Sequence, residues 1–191
     1  MNKNFIVIGD SITYGIGDFE TLGWATMLKR DIVNRDGTDM CKNFVHVVGF
    51  PGATSKDILD KIDDIYRVYH YNGFDDVVIL SIGINDVYEY EASGENSVEE
   101  YISNITCITD YISKQGVGLI LLGLMPVNDE DYINDSIIEY DNALEKFAKD
   151  NEIDYIPMFD VLKPEDLIDG LHPTKEGHEK IYNRVIDYLE E

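Results

Sequence analysis

Five short blocks of this sequence carry residue types that could do acyl-transfer chemistry. They are Gly9-Asp10-Ser11 with Gly15, Gly49-Phe50-Pro51-Gly52, Gly83-Ile84-Asn85-Asp86, Met125-Pro126-Val127-Asn128 and Asp169-Gly170-Leu171-His172-Pro173. A serine hydroxyl is a weak nucleophile at neutral pH and needs a neighbouring base to take its proton. Histidine is the side chain whose charge changes near neutrality, which suits His172 to that work. An acid must hold the imidazole in the correct tautomer and stabilise the imidazolium, and Asp169 is the nearest candidate in sequence. The oxyanion of a tetrahedral intermediate needs preorganised donors. The Ser11 N–H, the Gly52 N–H and the Asn85 side-chain amide would supply three. Glycine suits the second position because a side chain there would obstruct the oxyanion, and asparagine suits the third because it donates without carrying charge.

Each block has a plainer reading when taken alone. Gly-Asp-Ser and Asn-Asp are ordinary turn sequences, because their short polar side chains bond nearby backbone groups. Gly52 alone is a loop glycine. Asp169-x-x-His172 alone is a surface loop or half a metal site. The case for catalysis rests on their joint occurrence.

The intervening sequence explains how they could meet. Short apolar runs occur at Phe5–Ile8, Phe44–Val48, Val77–Ile82, Leu119–Leu122 and Tyr155–Ile156. Unbroken β-branched runs of this kind suggest strands covered on both faces. Between them, apolar residues recur at helical spacing. Trp24, Met27, Leu28 and Ile32 form one stripe, and Ile58, Ile62, Ile65 and Tyr69 a second. Val98, Tyr101, Ile105 and Ile112 form a third, Ile137, Tyr140, Leu144 and Phe147 a fourth, and Ile181, Val185 and Leu189 a fifth. Ser97-x-x-Glu100 reads as a capping box, Thr54 or Ser55 as the cap of the second helix and Thr174 as that of the last. Five strand-then-helix units imply a mostly parallel sheet with helices on both faces, in one domain over residues 1–191. Ligands of such sheets bind at the carboxyl ends of the strands, where all five blocks fall.

These blocks, in this order and spacing, resemble the SGNH (GDSL-type) hydrolases, a superfamily of serine esterases and lipases. The likeness runs from about Gly9 to Gly177. It implies a flavodoxin-like α/β/α sandwich of about five parallel strands in the order 2-1-3-4-5, with no metal or organic cofactor. It also implies Ser11 as nucleophile, His172 as base, Asp169 as its orienting acid, and Ser11, Gly52 and Asn85 as the oxyanion hole. Two departures stand out. Ile12 replaces the leucine of the older signature, and Pro51 precedes Gly52, which leaves Gly49 as a rival for the second block. Asp10 and Asp86 are expected to support the site by bonding loop backbone.

Lys+Arg number 15 against 38 Asp+Glu, a net charge of −23. That sets the protein against nucleic acid and anionic membranes, whose phosphates need basic partners. The remaining partner is a small-molecule ester, and nothing in the sequence fixes an oligomeric state. Cys41 and Cys107 lack metal-site spacing and read as buried small hydrophobes in a reducing, cytoplasmic setting. The apolar run ending at Ile8 is too short for a signal peptide or a membrane span. His46, His70 and His178 read as strand filler or solvated helix face, and Trp24 as core. The acid-rich stretches 89–100 and 129–135 lack the ligand pattern of calcium loops. Tyr88, Tyr90 and the loop 125–133 would border the acyl or alcohol pocket. Two other functions use the same residues. Asp10, Asp86, Asp169 and His172 could hold Mg²⁺ in a phosphohydrolase, or the fold could be a non-catalytic module for an acyl or sugar ligand.

Overall fold

The computed structural model describes residues 2–34, 42–128 and 133–190. Five strands, β1 (Lys3–Gly9), β2 (Phe44–Gly49), β3 (Asp75–Ser81), β4 (Gly118–Leu122) and β5 (Asp154–Ile156), form one parallel sheet in the order β2-β1-β3-β4-β5. This is the expected doubly wound topology, and each expected strand is present within two residues of its expected ends.

The strands alternate their side chains between two covered faces, as the period of two dictates. Ile6 and Ile8 of β1 and Val78 and Leu80 of β3 enter one core with Ile58, Ile65, Tyr101, Ile105 and Ile137. Phe5 and Val7, with Ile79, enter the other with Trp24, Leu28, Ile181 and Val185. The first core is roofed by α3 (Ser55–Leu59), α4 (Ile62–Tyr69), α5 (Ile84–Ser93), α6 (Val98–Lys114) and α7 (Ile133–Asp150); the second by α2 (Trp24–Asn34) and α8 (Lys175–Glu190). Burying an Ile or Leu in either layer contributes about 1.5–3 kcal/mol. The three layers thus account for the apolar runs and stripes of the sequence together.

Two corrections concern helices. The second stripe is not one helix: it breaks at Asp60–Lys61 into α3 and α4, while both pieces still face the same core. The segment after β3, expected as a turn, is the ten-residue helix α5, which begins directly at the Gly83 N-cap. Its helical pattern is hidden because its outer face is Glu- and Tyr-rich. The capping boxes do form, Ser97 with Glu100 and Thr54 with Asp57. Thr174 Oγ1 accepts from the Gly177 N–H at the start of α8.

Three side chains depart from, or extend, their expected settings. Cys107 is exposed on α6 rather than buried, and Cys41 lies outside the described residues. His178 is completely buried, not on a solvated face. His70 bonds Tyr66 and the buried Asp76. Trp24 is fully buried in the core, as expected. Of the acid-rich stretches, residues 129–132 lie outside the described residues. No described helix is long and apolar enough to cross a membrane.

Candidate active site

Ser11 opens a single helical turn, α1 (Ser11–Tyr14), at the carboxyl end of β1. Asp10 caps that turn by accepting the Ile12 N–H at 2.9 Å. The cap fixes the backbone at Ser11, and both residues are nearly inaccessible, at 6% and 3% exposure. Burial pushes the Asp10 carboxyl up to about 6, although the Ile12 and Thr13 N–H groups and the nearby His172 pull in the other direction.

Asp169 and His172 sit on the loop between β5 and α8. The loop is pinched by a bridge between Leu167 and Pro173, with the Ile168 N–H donating to the His172 carbonyl at 2.8 Å. Asn128, after β4, clamps it from outside by donating its N–H to the Gly170 carbonyl at 2.8 Å. Within the loop, Asp169 Oδ1 accepts the Leu171 and His172 N–H groups at 3.0 and 2.7 Å. Its Oδ2 lies 2.7 Å from His172 Nδ1, and His172 Nε2 lies 3.0 Å from Ser11 Oγ. With the Nδ1 proton directed at Asp169, Nε2 is left to accept from the serine hydroxyl. Partial burial pushes the Asp169 carboxyl up, but the His172 ring and the two backbone donors outweigh it and hold the group at about 2. Asp169 is therefore an anion throughout the neutral range.

Gly49 ends β2 and Gly52 lies in the loop after it, and their surroundings differ. A Cβ on Gly49 would lie 2.4 Å from the Tyr14 N, so the close approach of α1 to β2 requires glycine there. Gly52 has φ +80° and nothing within 4 Å of its would-be Cβ. Asn85, the second residue of α5, donates one amide proton to the Ala53 carbonyl at 2.8 Å. An amide has two such protons, so the other remains for a ligand. The same bond ties the Gly52 loop to the Asn85 helix.

Asp86 is wholly buried beneath that junction. It accepts from the Ser55 N–H at 2.9 Å and from the Ser55 hydroxyl at 2.5 Å, while Asn104 donates to the same hydroxyl at 3.0 Å. Burial pushes its carboxyl up to about 6, against the pull of the Ser55 bonds. The acid thus anchors the start of α3 and with it the preceding loop. Asp10, Asp86, Asp169 and His172 do not converge as a cation site would need. Each acid faces its own partner, and among the described residues no group of three or more His, Cys, Asp or Glu is placed to hold a metal ion.

Two positioning residues escaped the sequence reading. Asp18 is buried and accepts from the Glu20, Thr21 and Gly23 N–H groups and from the Thr21 hydroxyl, which shapes the loop after α1. His178 ties that loop to α8: its Nδ1 accepts the Trp24 N–H at 3.3 Å and its Nε2 donates to the Ile16 carbonyl at 3.0 Å. The Asp18-x-x-Thr21 spacing is a turn signal that could have marked the first. His178 has no local signal, because its partners are backbone groups far away in sequence.

Beside Ser11, Asp10 and Ile12 help to line a small pocket with Ile82, Ile84, Leu124, Met125, Leu171 and neighbours. Its cavity volume, about 20 Å³, is far below that of drug-sized ligand sites.

Solved structures similar to this chain share its fold. LAE5, an alpha/beta hydrolase enzyme from the metagenome of Lake Arreo, Spain, is 21% identical, with 98% of this chain and 94% of that chain covered and a TM-score of 0.78. Axe2, an acetylxylan esterase from Geobacillus stearothermophilus, is 19% identical over 97% and 93%, with a TM-score of 0.80. A member of the lipolytic protein G-D-S-L family from Veillonella parvula DSM 2008 is 16% identical over 98% of each chain, with a TM-score of 0.81. No curated protein matches the sequence. The sequence profile of the GDSL-like lipase/acylhydrolase family matches residues 7–180, and the blocks that carry Ser11, Gly52, Asn85 and His172 all fall within it; the chain belongs to that family of carboxylic-ester hydrolases.

Proposed function

We propose that the protein hydrolyses esters of short acyl groups through an acyl-enzyme on Ser11. The observation that carries the reading is the unbroken chain from Asp169 through His172 to Ser11, with contacts of 2.7 and 3.0 Å. Ser11 Oγ attacks the ester carbonyl as its proton passes to His172 Nε2. Asp169 holds the other ring nitrogen and stabilises the imidazolium. The oxyanion accepts from the Ser11 and Gly52 N–H groups and the second Asn85 amide proton. Collapse breaks the bond to the alcohol, which leaves with the proton from Nε2. Water then repeats the sequence on the acyl-enzyme and releases the acid. The small apolar pocket beside Ser11 supports a short acyl group. The two cores share one sheet, which supports a single domain over residues 1–191.

The test is turnover of p-nitrophenyl esters from acetate to decanoate, wild type beside Ser11→Ala. The variant should lose at least about 10³-fold in kcat, and the wild type should prefer the short end. A Ser11→Ala variant that keeps its turnover would remove the nucleophile from the scheme.

A further inference from the structure

Strand β4 ends at Leu122, and after Gly123 residues 124–128 run on as a strap with no helix or strand structure of its own. Its residues Leu124, Met125, Pro126 and Val127 form one wall of the small pocket beside Ser11. The other walls come from neighbours of the reacting groups. Asp10 and Ile12 flank Ser11, Ile84 precedes Asn85 and Leu171 precedes His172. One residue beyond the wall, the Asn128 N–H donates to the Gly170 carbonyl at 2.8 Å. Gly170 lies inside the turn that Asp169 and His172 close between them. The strap therefore reaches both the place of an acyl group and the loop that carries the base.

Two side chains of α7 hold the strap. At its start, Asp141 Oδ1 accepts the Leu124 N–H and the Tyr155 hydroxyl, each at 2.7 Å. A Cβ on Gly123 would lie 2.4 Å from that hydroxyl, so glycine lets the anchor close. Near its end, Asn134 pairs with both backbone groups of Val127. Its Oδ1 accepts the Val127 N–H at 3.0 Å, and its Nδ2 donates to the Val127 carbonyl at 2.8 Å. A carboxamide has a donor edge and an acceptor edge, so it can stand in for a neighbouring strand at a single residue. Val127 is 6% exposed, and its backbone has little water to turn to if that pairing is lost.

The size of the pocket gives the strap a second task. A cavity of about 20 Å³ has room for a water-sized group and little more. The methyl of an acetyl group suits that space, and a longer acyl chain must displace a wall. Ile12 and Ile84 are buried on α1 and α5, whereas the strap lacks the backbone ladder of a helix or strand and is the wall that yields. An outward push on the strap carries Asn128 with it, and through Gly170 it disturbs the His172 ring.

We infer that Asn134 is a positioning residue of the reaction: through Val127 it sets the strap that both walls the acyl pocket and holds the His172 loop, so that acyl length is read in kcat. The inference rests on the Ser11 hydrolase reading and adds how that site selects its acyl group. A displaced base costs rate even where binding is kept, because proton transfer depends on alignment.

The experiment measures kcat and KM separately on p-nitrophenyl acetate, butyrate and hexanoate. The enzymes are wild type, Asn134→Ala, Asn134→Asp, which keeps an acceptor for the Val127 N–H, Asn128→Pro, which deletes the N–H to Gly170, and the double variant of Asn134→Ala with Asn128→Pro. Thermal unfolding checks each fold. In the wild type, kcat should fall from acetate to hexanoate. Asn134→Ala should lose about tenfold to a hundredfold in acetate kcat, with KM within about twofold. Its preference for acetate should shrink, because a loosened strap yields to any chain. Asn134→Asp should recover part of the loss. The double variant should be no worse than the poorer single variant, because both changes cut one path. Losses that add across the two sites, a KM effect with kcat unchanged, or an equal loss on all three esters would overturn the positioning role. A wild type that prefers hexanoate would overturn the length selection. Absence of Ser11-dependent turnover on every ester would instead overturn the hydrolase reading beneath it.

Discussion

Replacing Asp169 by asparagine should disable the site through a tautomer, and the loop geometry sets the size of the effect. Asp169 Oδ1 accepts two backbone N–H groups, from Leu171 and His172, at 3.0 and 2.7 Å, and Oδ2 faces His172 Nδ1 at 2.7 Å. An asparagine in the same place has one acceptor and one donor end. Its oxygen must stay on the two backbone donors, because turning the NH₂ towards them would leave both unpaired at about 1–3 kcal/mol each. The NH₂ then faces Nδ1, which has to accept. The ring proton moves to Nε2, and Nε2 donates to Ser11 Oγ instead of accepting from it. The carboxylate is half exposed, and water satisfies part of the misplaced donors, so the lower end of that range applies. About 2–3 kcal/mol against the working tautomer is roughly a hundredfold, and loss of the anion beside the imidazolium brings the total to about 10³-fold in kcat. KM should hardly move, since Asp169 serves His172 and not the substrate. The assay is p-nitrophenyl acetate turnover for wild type, Asp169→Asn and Asp169→Ala, with unfolding midpoints to confirm the loop. Alanine leaves Nδ1 to water and forces no tautomer, so it should retain more activity than asparagine. An asparagine variant within tenfold of wild type, or one more active than alanine, would refute the tautomer argument.

Three further outcomes follow from Asp86, Gly49 and Gly52. Asp86 has its folded pKa raised from 3.8 to about 6, so its contribution is fully present below pH 4 and is lost as pH rises through 6. The shift corresponds to about 3 kcal/mol of ionisation cost, and urea unfolding of Asp86→Asn should gain on the wild type by that order between pH 4 and 7; a stability difference that ignores pH would contradict it. Gly49→Ala pushes a Cβ into the Tyr14 backbone and should cost about 1–3 kcal/mol along with activity, because α1 carries Ser11. Gly52→Ala meets open space but a positive φ, and should cost about 1–2 kcal/mol with the larger loss in kcat. Unfolding midpoints and p-nitrophenyl acetate kinetics on both variants check this, and the reverse pattern would make Gly49 the oxyanion donor.

The sheet was legible in the sequence because β-branched runs such as Phe5–Ile8 and Val77–Ile82 need two apolar faces, whatever covers them. The core helices α2, α6, α7 and α8 were legible for the same reason, since burying one face imposes a 3.6-residue period. Helix α5 was not, because its polar, Tyr-rich outer face blurs that period, and the break at Asp60–Lys61 leaves the stripe around it intact. Among the site residues, Ser11, Asn85, Asp169 and His172 could be picked out because each follows a strand, and a parallel sheet brings strand ends together. Their spacing in the chain could not say which atoms meet. Gly49 and Gly52 look alike in sequence, and only the packing of α1 on β2 shows that the Tyr14 backbone crowds the first and not the second. The burial of His178 and the exposure of Cys107 likewise depend on neighbours distant in sequence. So does the place of β2 in the sheet: a strand's own residues look the same at an edge as in the centre, and only the assembled sheet puts β2 at its edge.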